Sequence, residues 1–176
     1  MVALAVLVPL ACGCGLLGGL HSRLGAPDSL TVTSPGFTSE AILPPQYTCH
    51  GAGLSPPLHW SGAFSRQPKS YAIVVDDGLA PITPKIYWIV FDISPTTTDI
   101  AQNLLPTGAR QAQNSAGTAR YDPPCPPGNG ISSYRFTVYA LDASLDKLPE
   151  GAGLRTTWTA IARHVIAIGR LTVRAS

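Results

Sequence analysis

The sequence predicts one mainly β domain with a single late helix, and three observations carry the prediction. Seventeen glycines and seventeen prolines stand against two glutamates and three lysines, so turn formers abound and good helix formers are scarce. Several short runs are dense in β-branched and aromatic residues, the composition of strands. Only near the C-terminus does the apolar period lengthen from two towards the 3.6 of a helix. With 176 residues, 45% of them hydrophobic and 12% charged, the chain can bury one good core and is too short for two ordinary domains.

Taken in order, Leu30-Thr31-Val32-Thr33 alternates apolar and polar, the period of a half-buried strand. Ser70 to Val75 and Ile86 to Ile93 are nearly continuous apolar runs, bounded by Asp76-Asp77-Gly78 and Ser94-Pro95, and read as central strands buried on both faces. A further strand sends Tyr134, Phe136, Val138 and Ala140 to one face and Arg135, Thr137 and Tyr139 to the other. Leu154, Trp158, Ile161, Val165 and Ile168 follow helical spacing, and Gly169 is the expected terminator. Two Pro-rich segments, 34–57 and 120–130, read as ordered loops, the places where a β scaffold usually carries its binding groups.

The N-terminus reads as an address. Met1 to Leu20 carries no charged residue, and a short apolar stretch leads into Ala11-Cys12-Gly13-Cys14-Gly15, which resembles a bacterial lipoprotein signal. Lipidation is expected at Cys14 rather than Cys12, because Pro9 sits badly three positions before a cleavage-site Cys. The rival reading, a membrane-spanning helix, is weakened by Gly13, Gly15, Gly18 and Gly19 and by the lack of flanking lysine or arginine. The expected organisation is a signal over 1–13, a tether over 14–28 and a domain over 29–176, anchored by lipid to the outer side of a bacterial membrane. Export to an oxidising compartment makes one disulfide between Cys49 and Cys125 an expectation, with two buried thiols as the alternative.

Several chemistries are excluded or disfavoured. The net charge of +2 is spread along the chain with no basic stripe, so nucleic acid is not an expected partner. GxSxG, HExxH, CxxC and a phosphate-cradling glycine loop are all missing from the sequence, and neither catalytic residues, a metal nor a cofactor is expected. His50 and His59 flank a Gly-Pro-rich loop with only Cys49 nearby, a poor ligand set for zinc. His164, inside the helical pattern, reads as a packed or hydrogen-bonded residue. Asp76-Asp77, at the end of a buried strand, offers a functional carboxylate or an Asx cap on turn amides, and local pattern favours the cap.

From Ser34 to the C-terminus the chain resembles the bacterial Raf-kinase-inhibitor-like branch of the phosphatidylethanolamine-binding protein family. Leu43-Pro44-Pro45-Gln46-Tyr47-Thr48-Cys49-His50-Gly51 and Leu54-Ser55-Pro56-Pro57-Leu58-His59-Trp60 are similar to its opening "IPxxYTCxGxxxSPPLxW". Asp76 to Pro81 is similar to "DDPDAP", and Tyr87-Trp88 stands where the family has "HW". Asn114 to Gly117, Tyr121, Pro124 to Gly128 and Ser133 to Asp142 resemble "NxxG", "GYxGPCPPxG" and "HRYxFxxYALD".

The resemblance implies a large antiparallel sheet packed on a smaller one with a short C-terminal helix. It also implies a pocket for a phosphate-like anion at one end of the sheets, lined here by Asp77, Pro81, Tyr87, Tyr121, Cys125, Pro126, Ser132 and Tyr134, and a tight turn in which Ala80-Pro81 is expected cis. Leu79 replaces an acid of the family pattern, Tyr87 one histidine, and Ser132 (or Ser133, if the loop shifts by a residue) another. Hydroxyls donate hydrogen bonds and gain no positive charge near neutrality, so affinity for a phosphate should be reduced, to about millimolar, and vary little with pH. The expected function is a non-enzymatic module that holds a small anion or a lipid headgroup. The alternative is a protein partner, with the module inhibiting or modulating a protease or kinase.

Overall fold

The computed structural model describes residues 30–78, 84–126 and 130–175. The proposed lipidation site Cys14, the tether, Leu79, Pro81 and the Ala80-Pro81 bond lie outside these residues. Two antiparallel sheets form the domain. The smaller contains β1 (Leu30–Thr33), β2 (Leu58–Gly62) and β5 (Asp99–Ile100), in the order β1-β2-β5. The larger contains β3 (Ser70–Asp77), β4 (Ile86–Ile93), β6 (Arg110–Gln111), β7 (Ser132–Leu141) and β8 (Val165–Ala175), in the order β6-β4-β3-β7-β8. Among the described residues there is one α-helix, α1 (Leu154–His164), late in the chain. This is the mainly β, large-on-small-sheet architecture that the sequence leads one to expect.

Strands β3 and β4 are apolar on both faces because both faces are covered. Between the sheets, Trp60, Ile73, Val75, Trp88, Val90 and Phe136 form one core. Under α1, Ala72, Val74, Ile89, Phe91, Leu141 and Ile161 form a second. On β7 the alternation is as read from the sequence: Tyr134, Phe136, Val138 and Ala140 face the inter-sheet core, and Tyr139 faces the helix side. The first Pro-rich loop lies along the edge of β8, with the Leu43 amide donating to the Arg174 carbonyl at 2.7 Å, so that the edge strand is covered.

The helical reading of 154–168 needs correction. The helix stops at His164, and Val165-Ile166-Ala167-Ile168 begins β8, paired with β7 from Leu141↔Val165 onward. A run rich in β-branched residues gains more from an open ladder on β7 than from another helical turn. His164 is the hinge: its carbonyl accepts the Asp142 amide at 2.9 Å, and its ring Nδ1 lies 2.9 Å from Asp142 Oδ1, the hydrogen-bonded structural role expected of it. Gly169 terminates nothing. It sits mid-strand where β1 crosses, and a Cβ there would lie 2.6 Å from Leu30 Cβ and 2.8 Å from the Leu30 carbonyl carbon. We therefore expect Gly169→Ala to destabilise by about 1–3 kcal/mol through overpacking, read as a lowered melting temperature. An unchanged melting temperature would show that β1 moves aside at no cost.

Candidate functional site

A β-bulge builds the site. Along β3 and β4 the pairing passes from Val75↔Trp88 to Asp76↔Ile86, which leaves Tyr87 as an extra residue. Bulges re-aim side chains. Here the bulge turns both Tyr87 and Trp88 towards the inter-sheet side. Across β3, Asp77 pairs with Tyr134 of β7, and the rings of Tyr134 and Tyr87 meet edge to face at 5.4 Å. The Tyr134 hydroxyl lies near enough to the Tyr87 and Ser132 hydroxyls for both to bear on its ionisation. Ser133, by contrast, bonds through its backbone, its carbonyl accepting the Gly78 amide. Ser132 rather than Ser133 thus reaches the cluster.

Asp77 and Asp76 have different work. Asp77, half-buried, accepts the Lys85 amide through Oδ1 at 3.0 Å, the capping role that local pattern favours, and its charge still bears on both tyrosines. Asp76 points to the other face of the sheet and pairs with Arg135, Nε to Oδ1 at 2.6 Å. That ion pair was not anticipated from the sequence.

Nor was Lys85. Its ammonium stands over the Tyr87 ring at 4.6 Å from the centroid and 3.5 Å from an Asp122 carboxylate oxygen. Lys85 brings a cation to the Tyr87 side of the site, paired with Asp122, while its backbone amide is what Asp77 holds. The available signal was slight: a lysine immediately before a buried strand that carries a tyrosine one residue in.

Burial, then the neighbouring Tyr134 and Asp77, push the Tyr87 phenol well above its ordinary value. Burial does the same to Tyr121, with Tyr134 and Asp122 adding to it. Tyr134 is raised by burial too, although the Ser132 and Tyr87 hydroxyls pull it back. All three therefore stay protonated through the neutral range.

The second loop closes the cluster from below. Asn114 folds it, accepting the Ala116 and Thr118 amides at 2.9 and 3.1 Å while donating to the Arg120 carbonyl, so the segment that resembles "NxxG" is a turn-forming device. Tyr121 packs edge-on against Trp88 at 5.5 Å and donates its hydroxyl to the Tyr47 carbonyl at 2.9 Å. It shapes the wall, and its one O–H donor is engaged there. Cys125 is bonded to Cys49, with Cα atoms 5.1 Å apart, which replaces the alternative of two buried thiols. Both cysteines are exposed, and Pro126 beside them is buried. Although donor atoms of Cys49, His50 and Cys125 lie within 4.8 Å of one another, the two sulfurs are spent on each other, and one imidazole is no metal site.

Comparison with known proteins shows the family and the fold. The profile of the family described as phosphatidylethanolamine-binding protein matches residues 33–176. The chain is 42% identical over 153 residues to UPF0098 protein Rv1910c of Mycobacterium tuberculosis, covering 86% of this chain and 72% of that one. It is 37% identical over 147 residues to "Putative lipoprotein LppC" of the same organism, covering 83% and 72%. Among solved structures, Escherichia coli YbcL, described as a new member of the mammalian PEBP family, superposes with a TM-score of 0.77 at 28% identity, over 84% of this chain and 98% of that one. A Chlamydia trachomatis PEBP homolog, CT736, superposes with a TM-score of 0.74 at 33% identity, over 85% and 99%. With its two sheets, its late helix and its sequence matched from residue 33 to the end, the chain belongs to the phosphatidylethanolamine-binding protein family.

Proposed function

We propose that this protein is a non-enzymatic binding module that holds a small phosphoryl-bearing ligand, a zwitterionic lipid headgroup in preference to free phosphate, at the cluster of Tyr87, Tyr134, Ser132 and Lys85. The observation that carries the reading is the Lys85 ammonium over the Tyr87 ring and paired with Asp122, with the Tyr134 ring edge-on to Tyr87 and the charges of Asp77 and Asp122 bearing on the Tyr87 phenol. One cation against two carboxylates leaves the cluster with a negative balance, which repels a phosphate dianion. A zwitterion can turn its ammonium to the carboxylates and its phosphoryl oxygens to the hydroxyls and to Lys85. Phenols that remain protonated near neutrality donate hydrogen bonds and are poor general bases, which favours binding over acid–base catalysis. The relative named as a lipoprotein supports a lipid anchor at Cys14 and an extracytoplasmic location.

The test is calorimetric titration with glycerophosphoethanolamine, a diester whose charge is constant in the neutral range. Binding in about the millimolar range is expected, nearly constant between about pH 5.5 and 7.5, and weaker for inorganic phosphate. Lys85→Met should weaken it about three- to tenfold. Tyr87→His together with Ser132→His should strengthen it, most at the acidic end where imidazolium forms. Micromolar, steeply pH-dependent binding by the natural chain would overturn the reading. Lack of binding, with a stoichiometric protein partner retained in native mass spectrometry, would move the protein to the class of interaction modules.

A further inference from the structure

The disulfide and the histidine that follows its first cysteine carry a second chemistry. Cys49, His50 and Cys125 are all exposed, and one ligand atom from each, the two sulfurs and an imidazole nitrogen, lie within 4.8 Å of one another. While the sulfurs are bonded to each other they ligate nothing. The three residues are nevertheless held together by more than that bond. The Cys49 amide donates to the carbonyl of Pro124, the residue before Cys125, at 3.0 Å. A tight turn fixes His50 beside Cys49: the buried Thr48 accepts the His50 amide through Oγ1 at 3.2 Å and donates the same hydroxyl to the Pro45 carbonyl at 2.9 Å. Gly51 closes the turn, its amide donating to the Thr48 carbonyl, and a Cβ on it would collide with the Pro45 carbonyl. None of these contacts runs through a sulfur, so opening the bridge leaves them in place.

We propose that the two Pro-rich loops form a redox-gated zinc site: once a dithiol reductant has opened the Cys49–Cys125 bridge, the two thiolates and the His50 imidazole take one Zn2+, with water in the fourth position. A thiolate of the reductant attacks one sulfur of the bridge and expels the other; its second thiol then displaces the first, so that the protein gains two thiols and the reductant leaves as a disulfide. Zinc in turn displaces the two thiol protons. Thiolates and imidazole are the ligands zinc takes most readily, and three protein ligands leave one position open. Around a tetrahedral ion such ligand atoms stand about 3.5–3.8 Å apart, so side-chain shifts of about 1–2 Å complete the set. Exposure of all three residues gives the ion a path in and room for its water. Either state ties loop to loop across 76 residues of chain, with zinc standing in for the covalent link. The site uses none of Tyr87, Tyr134, Ser132 and Lys85, so it stands apart from the headgroup reading.

The experiment uses the full chain with Cys12→Ser and Cys14→Ser, so that Cys49 and Cys125 supply every thiol. One portion is kept oxidised, the other is reduced with a phosphine and handled without oxygen, and zinc is titrated into each against a chromogenic chelator. The reduced chain should bind one equivalent with a dissociation constant at or below about 1 μM, at least about a hundredfold tighter than the oxidised chain. Zinc at about a hundredfold excess over that constant should raise the melting temperature of the reduced chain by about 5 °C. Co2+ in place of zinc should give thiolate-to-cobalt charge-transfer absorption in the reduced chain and none in the oxidised one. His50→Ala, a change at an exposed residue, should weaken zinc binding at least about tenfold while leaving the melting temperature of the oxidised chain where it was. A reduced chain that takes up no zinc at about 100 μM, equal uptake by the oxidised chain, or an unchanged affinity in His50→Ala would overturn the proposal.

Discussion

Removing the Cys49–Cys125 bridge, as Cys49→Ser with Cys125→Ser, should lower the unfolding free energy by roughly 3 to 4 kcal/mol, because the bridge closes a loop of 76 residues and restricts the unfolded chain accordingly. A single domain of this size has a total stability of about 5–15 kcal/mol, so at least about a fifth of it rests on one bond. The bridge joins the two Pro-rich loops, which have few regular ladder hydrogen bonds of their own. Beside it, the Cys49 amide donates to the Pro124 carbonyl at 3.0 Å and the Tyr121 hydroxyl to the Tyr47 carbonyl. Loss of the bond should therefore also loosen the wall behind Trp88, and with it the proposed headgroup site. Both cysteines are exposed, so reductant can reach the bond without global unfolding. Denaturant titration of the bridged and serine forms measures the difference. A gap below about 1 kcal/mol would mean that the two loops are held by their backbone contacts alone.

What could be read in the sequence, and what could not, divides along physical lines. Strands β3, β4 and β7 were legible because burial on both faces writes nearly unbroken apolar runs, and on β7 the two cores still leave a period of two. Strand β8 was not, because Val165 and Ile168 also satisfy a helical spacing started by Leu154, and the ladder on β7 that decides between them is a long-range pairing. Strands β5 and β6 have two residues each, too few to show a period. In the site, Tyr87, Tyr134 and Ser132 could be placed by resemblance, since each stands at a motif position. Lys85 and the bulge at Tyr87 could not: a bulge is a mismatch between two strands, and neither strand alone records it. The same holds for Arg135 and Asp76, direct neighbours across β3 and β7 and 59 residues apart in sequence.

That pair gives the second large effect. Arg135→Met should destabilise the protein by about 2–3 kcal/mol at pH 7, since it leaves the Asp76 carboxylate buried without its partner. The lower part of the range for broken buried pairs applies because the Arg135 side chain is itself 34% exposed and partly screened. The sign with pH is set by Asp76. Burial raises its carboxyl above the ordinary 3.8, and the hydrogen bond and charge of Arg135 oppose the rise. Without Arg135 the rise grows. A carboxyl with a raised folded-state value favours folding below its unfolded value and loses that contribution as pH climbs through the folded one. The gap between natural chain and variant should thus be widest near pH 7 and narrow as the pH falls through the raised range in which Asp76 takes up a proton in the folded variant. Adding Asp76→Asn to Arg135→Met should recover much of the loss at pH 7 and flatten its pH dependence. Denaturant titrations of the three chains at several pH values measure this, and a gap that stays constant or widens on acidification would show that Arg135 stabilises by packing its stem and that its charge contributes little.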